Sequence, residues 1–483
     1  VPATPEFDVV VIGGGSAGFA AARTAAAMGE VRTALIEGAE QLGGLCILRG
    51  CMPSKALLES AHRWHAIRHA REFGLVAKAV AVEMPCIQAR KQHLIGGFGA
   101  HRRRQLRRGK FTFLRGRVSF LDAHTLLLER GKRRELVTAS TFIVATGSVV
   151  QKVLIPGLEE AGYWTSDTAL DAGKIPRRLA VLGGGVIAVE LGQFFSRVGA
   201  KTTLLQRSRR IVRTYDPDVS VELQRAFAAE ELEVVTGVKL QEVRATGKGK
   251  KIFYRCGSKK KDLVVDEILV ALGRVPALEG LKLENAGVTV TNGRLKTDDR
   301  MATSVPHIFA AGDVAGPHEV VHIAIQQGEC AARNAVRELR GGGEVEHVDY
   351  RLKALVTFTD PEIASVGLTE TEAKAQGIDF LTAKYPFKDH GKAMIGGHEF
   401  GFVKILAEKT RGEIIGAQII GPHASDLIHE LIAVMRYRGT VHELALMPHY
   451  HPTLAEIVTY PAEELMEKLP HPMPDCDHAA SVF

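Results

Sequence analysis

Residues 7–18 read Phe7-Asp8-Val9-Val10-Val11-Ile12-Gly13-Gly14-Gly15-Ser16-Ala17-Gly18. A β-branched run opens directly into glycines and then into an Ala-rich stretch, which predicts strand, tight turn and helix in succession. In this spacing Gly13 permits the turn, Gly15 lets the backbone approach a pyrophosphate, and Gly18 lets helix pack on strand. The helix N-terminus adds free N–H groups and the positive end of a dipole for the phosphates. A second predicted strand, Arg32–Ile36, ends in Glu37, an acid placed to hold ribose hydroxyls. A glycine-rich turn that binds nothing is the alternative, and the flanking strand, helix and acid all speak against it.

The same plan returns later in the chain. Leu179–Leu182 predicts a strand, Gly183-Gly184-Gly185-Val186-Ile187-Ala188 the turn and helix start, and Lys201–Leu205 the next strand. Gly183, Gly185 and Ala188 repeat the first glycine set, so two nucleotide sites follow from one duplicated βαβ unit. The position of Glu37 is taken here by Gln206, followed by Arg207, Arg209, Arg210 and Arg213. An acid would bind an adenine-ribose 2′-hydroxyl and repel a 2′-phosphate, whereas arginines attract the phosphate. The second nucleotide is therefore expected to be NADP in preference to NAD. The alternative is that these arginines only solvate a turn.

Between and beyond these units, Thr141–Ala145 predicts a short strand ending in Thr146-Gly147, and Ile155-Pro156-Gly157 a linker. Glu267–Leu272 predicts a strand ending in Gly273-Arg274, and Ile308–Ala311 one ending in Gly312-Asp313. From about Val348 the texture becomes alternating strands, Phe402–Leu406 and Ile414–Ile420, then an amphipathic helix from Ala424, which is an α+β module. Pro, His and Asp enrich the final stretch, read as a tail over 471–483.

With 483 residues, 46% hydrophobic and 24% charged, the chain has the balance of a globular protein of about three domains. The net charge of +7 gathers in local runs, Arg102–Arg104 with Arg107-Arg108, Lys248 with Lys250-Lys251, and Lys259–Lys261. Aromatics are only 6%, so the runs read as solvated surface and no nucleic-acid partner is expected. Neither the apolar runs nor the N-terminus predicts a membrane span or signal peptide, and a cytoplasmic protein is expected. Cys86, Cys256, Cys330 and Cys476 are scattered; Cys46 and Cys51 alone are close in sequence, as suits a reducing compartment with one special pair.

That pair lies in Gly43-Gly44-Leu45-Cys46-Ile47-Leu48-Arg49-Gly50-Cys51-Met52-Pro53-Ser54-Lys55. A disulfide needs its Cα atoms within about 7 Å. Five residues of ideal helix rise about 7.5 Å along the axis alone. If these cysteines bond, the segment is not regular helix there, and Gly50 and Pro53 are the residues expected around a distortion. Two free thiols and half a zinc site are the alternatives; the latter lacks two further ligands nearby. Far downstream, Pro452 biases His451 away from helix. His451 is suited to act as a base near neutral pH, with Glu456 able to orient it. Thr453-x-x-Glu456 is also the pattern of a capping box.

Taken in order, these motifs resemble the class I pyridine nucleotide–disulfide oxidoreductases from about Asp8 to Lys468. The match takes in the first fingerprint with Glu37, C-x4-C-x-P-S-K, Ala145-Thr146-Gly147, and the second fingerprint with Glu190. Next come Ala271-Leu272-Gly273-Arg274, Phe309-Ala310-Ala311-Gly312-Asp313, Phe358-Thr359-Asp360-Pro361-Glu362 and His451-Pro452-Thr453 with Glu456. The resemblance implies two Rossmann-like dinucleotide-binding domains, for FAD and NAD(P), and a C-terminal α+β dimerisation domain. It divides the chain into FAD-binding segments 1–150 and 277–347, an NAD(P)-binding segment 151–276 and a dimerisation segment 348–470. It also implies that Cys46 and Cys51 form a redox-active disulfide. In that reading Cys46 is the interchange thiol and Cys51 the thiol beside the flavin. Lys55 pairs with Glu190 near the flavin, and Asp313 binds the ribityl chain. His451 with Glu456 is the acid/base pair, reaching the cysteines from the partner subunit of a homodimer.

Within the family the signals divide. Pro53-Ser54-Lys55, His322 and Leu454 are similar to lipoamide dehydrogenases, whereas Ala188, Arg207 and Arg213 are similar to NADPH-using reductases. The leading expectation is a lipoamide dehydrogenase-like enzyme acting on a dithiol, including a protein-bound lipoyl group. An NADPH-dependent reductase of a small disulfide or a metal ion is the second reading. A flavin-binding structural subunit of a multienzyme complex is the third. Mercuric reductases carry a cysteine pair near the C-terminus where this chain has only Cys476, and no resident metal site is expected. Arg49 between the cysteines adds a cation that favours thiolate and an anionic substrate.

Overall fold

A computed structural model describes residues 5–469; Cys476 and the tail over 471–483 lie outside the described residues. The chain opens with β1 (Phe7–Ile12), α1 (Ser16–Ala27) and β2 (Thr33–Glu37), as the first twelve residues of the motif dictate. There follow α2 (Gly44–Arg49), α3 (Cys51–Arg68), α4 (Met84–Arg108) and β3 (Thr112–Arg115).

Five strands run parallel in the order β3, β2, β1, Arg133–Val144, Ile308–Ala310. Their residues are near-continuous β-branched and aliphatic runs because both faces are covered, one by α1, α4 and the helix Val321–Leu339, the other by the strands Arg117–Phe120 and Thr125–Arg130 with residues 281–288. Val9, Val10 and Val11 are fully buried, and α1 packs on the helix Val321–Leu339. The last strand of this sheet comes from residues 308–310, so the intervening chain is an insertion. An antiparallel extension of Arg117–Phe120 and Thr125–Arg130 continues the same sheet.

The insertion holds a second sheet, in the order Glu233–Val235, Lys201–Leu205, Arg178–Leu182, Glu267–Val270, Trp164–Thr165, all parallel. The two units agree bond for bond. Gly13 N–H donates to Ile36 O at 2.8 Å and Ala145 N–H to Ile12 O at 2.8 Å. Their counterparts are Gly183 N–H to Leu205 O at 3.0 Å and Ala271 N–H to Leu182 O at 2.9 Å. The lysine runs at 248–251 and 259–261 decorate a three-stranded antiparallel sheet (Val238–Thr246, Gly249–Cys256, Lys259–Val265). Lys251 pairs there with Asp262 at 3.0 Å, and Lys250 pairs with Glu267.

The third sheet is antiparallel, in the order Ala354–Thr357, Glu362–Gly367, Ile414–Gly421, Phe402–Glu408, Phe380–Pro386. The helices Ala424–Arg436 and Thr459–Lys468 cover it, closing a core of Ile405, Ile419, Ile428 and Leu465. Buried Lys404 crosses to the second unit, meeting Asp216 at 2.8 Å and Asp218 at 2.8 Å, and pairs with Glu370 of its own module at 3.1 Å. Among the described residues no helix is long and apolar enough to cross a membrane.

Candidate active site

The glycine turns sit where their parent strands end, at the carboxyl edge of each parallel sheet. Gly13 has φ +107°, and a Cβ there would lie 2.4 Å from Ala145 O, so only glycine fits. A Cβ on Gly18 would lie 1.8 Å from Gly13 O, which is the close helix–strand approach the spacing called for. Gly15, by contrast, has open space around its missing side chain at the start of α1. Thr146 Oγ1 is buried without a partner on the same edge, next to Gly147 at φ +74°. Glu37 accepts from Gly14 N–H at 2.9 Å and Ala39 N–H at 2.7 Å, so its carboxylate is fixed across the turn. Asp313 accepts from Ser148 Oγ at 2.6 Å. An open cradle, an orphaned hydroxyl and a fixed carboxylate along one edge fit the phosphates and hydroxyls of a dinucleotide.

In the second unit Gly183 (φ +128°) repeats Gly13, with a Cβ 2.3 Å from Ala271 O, and Gly185 is again open. Ala188 stands where Gly18 stood and is fully buried. Gly273 (φ +114°) ends the neighbouring strand. Gln206 differs from Glu37. Its Nε2 donates to Ser208 Oγ at 2.7 Å and Arg210 O at 3.2 Å, while its Oε1 accepts from Arg207 N–H. It is therefore spent on building the loop. Arg207, Arg209 and Arg213 are exposed around it, with no ion pair among the described residues.

The cysteines occupy the junction of α2 and α3. Helix stops at Arg49 and restarts at Cys51, with Gly50 between them at φ −130°, ψ −115°. A Cβ on Gly50 would press within 3.1 Å of Leu45 O and 3.2 Å of Cys46 Cα. The distortion expected of this segment falls at Gly50; Pro53 lies inside the first turn of α3, where its missing N–H is harmless. Both sulfurs are thiols here. The hydrogen bond from Cys46, helped by the Lys55 charge, lowers the Cys51 thiol to about 7 against the opposing effect of burial. The same contact, with burial, pushes Cys46 upward. Cys51 is thus the sulfur that carries the negative charge.

Lys55, one helical turn beyond Cys51, meets buried Glu190 at 2.8 Å. The other Glu190 oxygen accepts from Phe358 N–H at 2.9 Å, and the Lys55 ammonium lies 4.5 Å from the Phe358 ring centroid. One charge pair so ties the redox helix, the second nucleotide unit and the third sheet.

His451 forms no hydrogen bond with either thiol of its own chain among the described residues. Its side chain is 81% exposed, and its Nδ1 stands 3.0 Å from Glu456 Oε2. The capping box does not close, because Thr453 Oγ1 is buried without a partner. Glu456 instead spans two imidazoles, with Oε1 3.3 Å from His390 Nε2, a contact short of hydrogen-bond alignment. His390 is only 1% exposed, and its Nδ1 accepts from Ala393 N–H, which leaves the proton on Nε2 facing the carboxylate. Burial acts to raise the Glu456 carboxyl, but the His451 contact outweighs it and holds the group below its ordinary value. Sequence reasoning missed His390, which belongs to no spaced motif and is found only by its packing against Glu456; Phe358 stands in a motif the sequence offered, but its place beside Glu190 and Lys55 is seen only in the packing.

The model of the pyridine nucleotide-disulphide oxidoreductase family matches residues 7–328, and that of its dimerisation domain residues 354–462. The chain belongs to this family. Dihydrolipoyl dehydrogenase of Geobacillus stearothermophilus is 34% identical over 460 residues, 95% of this chain and 96% of that one. Mercuric reductase of Staphylococcus aureus is 33% identical over 91% of this chain and 79% of its own. Among solved structures, LpdA from Mycobacterium tuberculosis superimposes with a TM-score of 0.85 at 27% identity, covering 95% of this chain and 100% of that one. As a pyridine nucleotide-disulphide oxidoreductase the protein is an FAD-dependent enzyme that couples a nicotinamide dinucleotide, NAD(P), to a disulfide, with a lipoamide dehydrogenase-like chain and a dimerisation domain.

Proposed function

We propose that the enzyme interconverts a dithiol and its disulfide, with lipoyl groups as the leading substrate and NADP as the preferred nicotinamide. The observation that carries this reading is the facing thiol pair at the α2–α3 break, with the charge resting on Cys51 beside Lys55. Residues 1–150 and 277–347 hold FAD through Gly13, Gly15, Gly18, Glu37, Thr146, Gly147 and Asp313. Residues 151–276, with Gly273 at their edge, hold the nicotinamide dinucleotide through Gly183, Gly185, Ala188 and Glu190. Arg207 and Arg213 read its 2′-phosphate. Gln206 shapes that loop through its own hydrogen bonds. Bound FAD supplies the two-electron relay between the nicotinamide and the cysteine pair.

Cys46 keeps its proton, so it needs a base before it can attack a disulfide. His451 pairs with Glu456 and hydrogen-bonds to neither thiol of its own chain among the described residues, which supports its delivery from the partner subunit of a homodimer through residues 348–470. The partner subunit's His451 takes the Cys46 proton, and Cys46 sulfur attacks one substrate sulfur. The substrate S–S bond breaks, and the leaving thiolate recovers the proton. The Cys51 thiolate then attacks the Cys46 sulfur, closing the internal disulfide and releasing the second substrate sulfur as a thiolate, which takes its proton from solvent. With a dithiol substrate the steps reverse. Cysteine usage supports a reducing compartment and a cytoplasmic location.

A reductase of small disulfides or a metal ion is the second reading, favoured by the unpaired arginines and the likeness to a mercuric reductase. Steady-state rates with NADPH and NADH against lipoamide, glutathione disulfide and mercuric ion separate the two. Lipoamide is expected to give the highest kcat/KM. Arg207→Glu is expected to lower the NADPH/NADH ratio by about tenfold, the weight of one charge-assisted contact. An unmoved ratio contradicts the cofactor assignment.

A further inference from the structure

His390 is a histidine where an ordinary helix cap would do. Its Nδ1 accepts from Ala393 N–H at 3.4 Å and so opens the short helix Gly391–Ile395. Asn, Asp, Ser or Thr serve that purpose with a single oxygen. An imidazole brings a second nitrogen, which is costly to bury unless something meets it. Because Ala393 N–H can only donate, the ring proton is on Nε2, and that nitrogen faces Glu456 Oε1 at 3.3 Å. No hydrogen bond among the described residues claims it otherwise. The second Glu456 oxygen stands 3.0 Å from His451 Nδ1.

Packing fixes the ring. His390 N–H donates to Phe387 O at 3.0 Å, and Tyr460 of the helix Thr459–Lys468 meets the imidazole edge-on at 5.9 Å. Behind Tyr460, Tyr385 of the strand Phe380–Pro386 stacks at 4.2 Å, and its hydroxyl donates to Asp389 O at 3.0 Å. Lys388, Asp389 and Lys392 of the capping segment itself are exposed. The charged groups acting on His390 are therefore Glu456 and His451. Burial lowers the imidazole, Glu456 acts to raise it, and His451 adds to the lowering. His390 so remains a neutral donor through the neutral range.

We propose that His390 is a positioning residue for the acid/base pair. Its Nε2–H holds one oxygen of Glu456, which keeps the other on His451 Nδ1 and fixes the tautomer whose Nε2 is free to take the proton of Cys46 across the dimer. His390 moves no proton itself and acts only through Glu456. The inference deepens the proposed function and rests on its assignment of His451 and Glu456 as the acid/base pair.

Two substitutions separate this role from capping. Asn keeps an acceptor where Nδ1 stands but ends short of Glu456, whereas Gln carries an amide N–H out to the place of Nε2 and is the poorer cap. In the holoenzyme, His390→Asn is expected to lower kcat for dihydrolipoamide oxidation about tenfold, a fraction of what a general base supplies, with KM held within about twofold. The acid limb of its kcat–pH profile moves down by about half a unit, because an imidazole less firmly paired with a carboxylate is a weaker base. His390→Gln restores most of the rate and the limb. Melting temperatures run the other way, with His390→Asn near the wild type and His390→Gln below it. Iodoacetamide reads the same effect without turnover. Near neutral pH, Cys46 of the two-electron-reduced holoenzyme, followed by peptide mass, is alkylated about threefold more slowly in His390→Asn, as half a unit of lost basicity leaves less thiolate. A wild-type kcat, acid limb and alkylation rate in His390→Asn overturn the inference. A loss that tracks the melting temperatures and is worse in His390→Gln assigns the residue to the cap and overturns it too. Should His390→Gln not fold, the acid limb of His390→Asn is decisive. Wild-type rates in His451→Gln remove the acid/base assignment beneath the inference, whereas a large loss there beside an unchanged His390→Asn overturns the inference alone.

Discussion

At the scale of single residues, the division of labour between the two cysteines comes from their unequal surroundings. Cys51 lies toward Lys55 and receives the Cys46 hydrogen bond, whereas Cys46 donates and is pushed upward. In the reduced, flavin-free chain the folded Cys51 loses its proton near 7, while an unfolded thiol keeps one to about 9. Between those values the unfolded state binds more protons, so stability rises with pH across that window and the gain is lost as pH falls through 7. Cys46 remains protonated in both states below about 9 and contributes nothing there. Urea midpoints followed from pH 7 to pH 9 are expected to climb for the wild type relative to Cys51→Ser; parallel curves contradict the assignment. Glu456 shows the same logic in a carboxylate. Buried His390 presents its Nε2 proton from one side and leaves the other oxygen for His451, which only the three-dimensional packing reveals.

At the scale of elements, the glycines separate what the fold needs from what a ligand needs. Gly18 is filled by the Gly13 carbonyl, whereas Gly15 faces open space. Gly18→Ala is expected to destabilise the flavin-free chain by about 1–3 kcal/mol through overpacking. Gly15→Ala is expected to change it by no more than about 1 kcal/mol, as an N-cap replacement, yet both purify with less bound flavin. Unfolding curves together with the visible-to-ultraviolet absorbance ratio check this; equal stability losses contradict it. These turns were legible in the sequence because glycine spacing reports directly on close approach. The same holds for the strands Phe7–Ile12 and Lys201–Leu205, whose edges the sequence places correctly. The helix α4 was not legible as one element, because its 25 residues carry glycines at 96, 97 and 99 and a basic end that reads as surface. The predicted strand at Thr141–Ala145 is the end of a longer one, Arg133–Val144, whose polar first half hid it.

At the scale of the whole molecule, the thiols stand at the α2–α3 break while the exposed His451–Glu456 pair stands near the end of the third module, with no hydrogen bond between them among the described residues. Large apolar side chains stand open beside that pair, among them Tyr450 at 85% and Leu446 at 78% exposure. In the symmetric dimer we propose, the family's dimerisation domain covers them and each site is completed by the other chain's histidine. Heterodimers of a Cys46→Ser chain and a His451→Gln chain then contain one intact site, and roughly half of wild-type activity is expected where both parent homodimers have almost none. Inactive heterodimers place the whole site within one chain. The C-terminal module was legible as α+β from its alternation, but its surface gave no periodic signal, since an interface between copies looks in sequence like an ordinary mixture of Tyr, Met and Leu.

The claim on which all three scales depend is that the cysteine pair is a second two-electron centre in contact with a bound flavin. Anaerobic reductive titration of the purified enzyme measures this directly. The wild type is expected to take up roughly four electrons per subunit, with a long-wavelength thiolate–flavin band after the first pair, and Cys51→Ser to take two without the band. A colourless wild type, or a yellow one that is bleached by a single electron pair, contradicts the account.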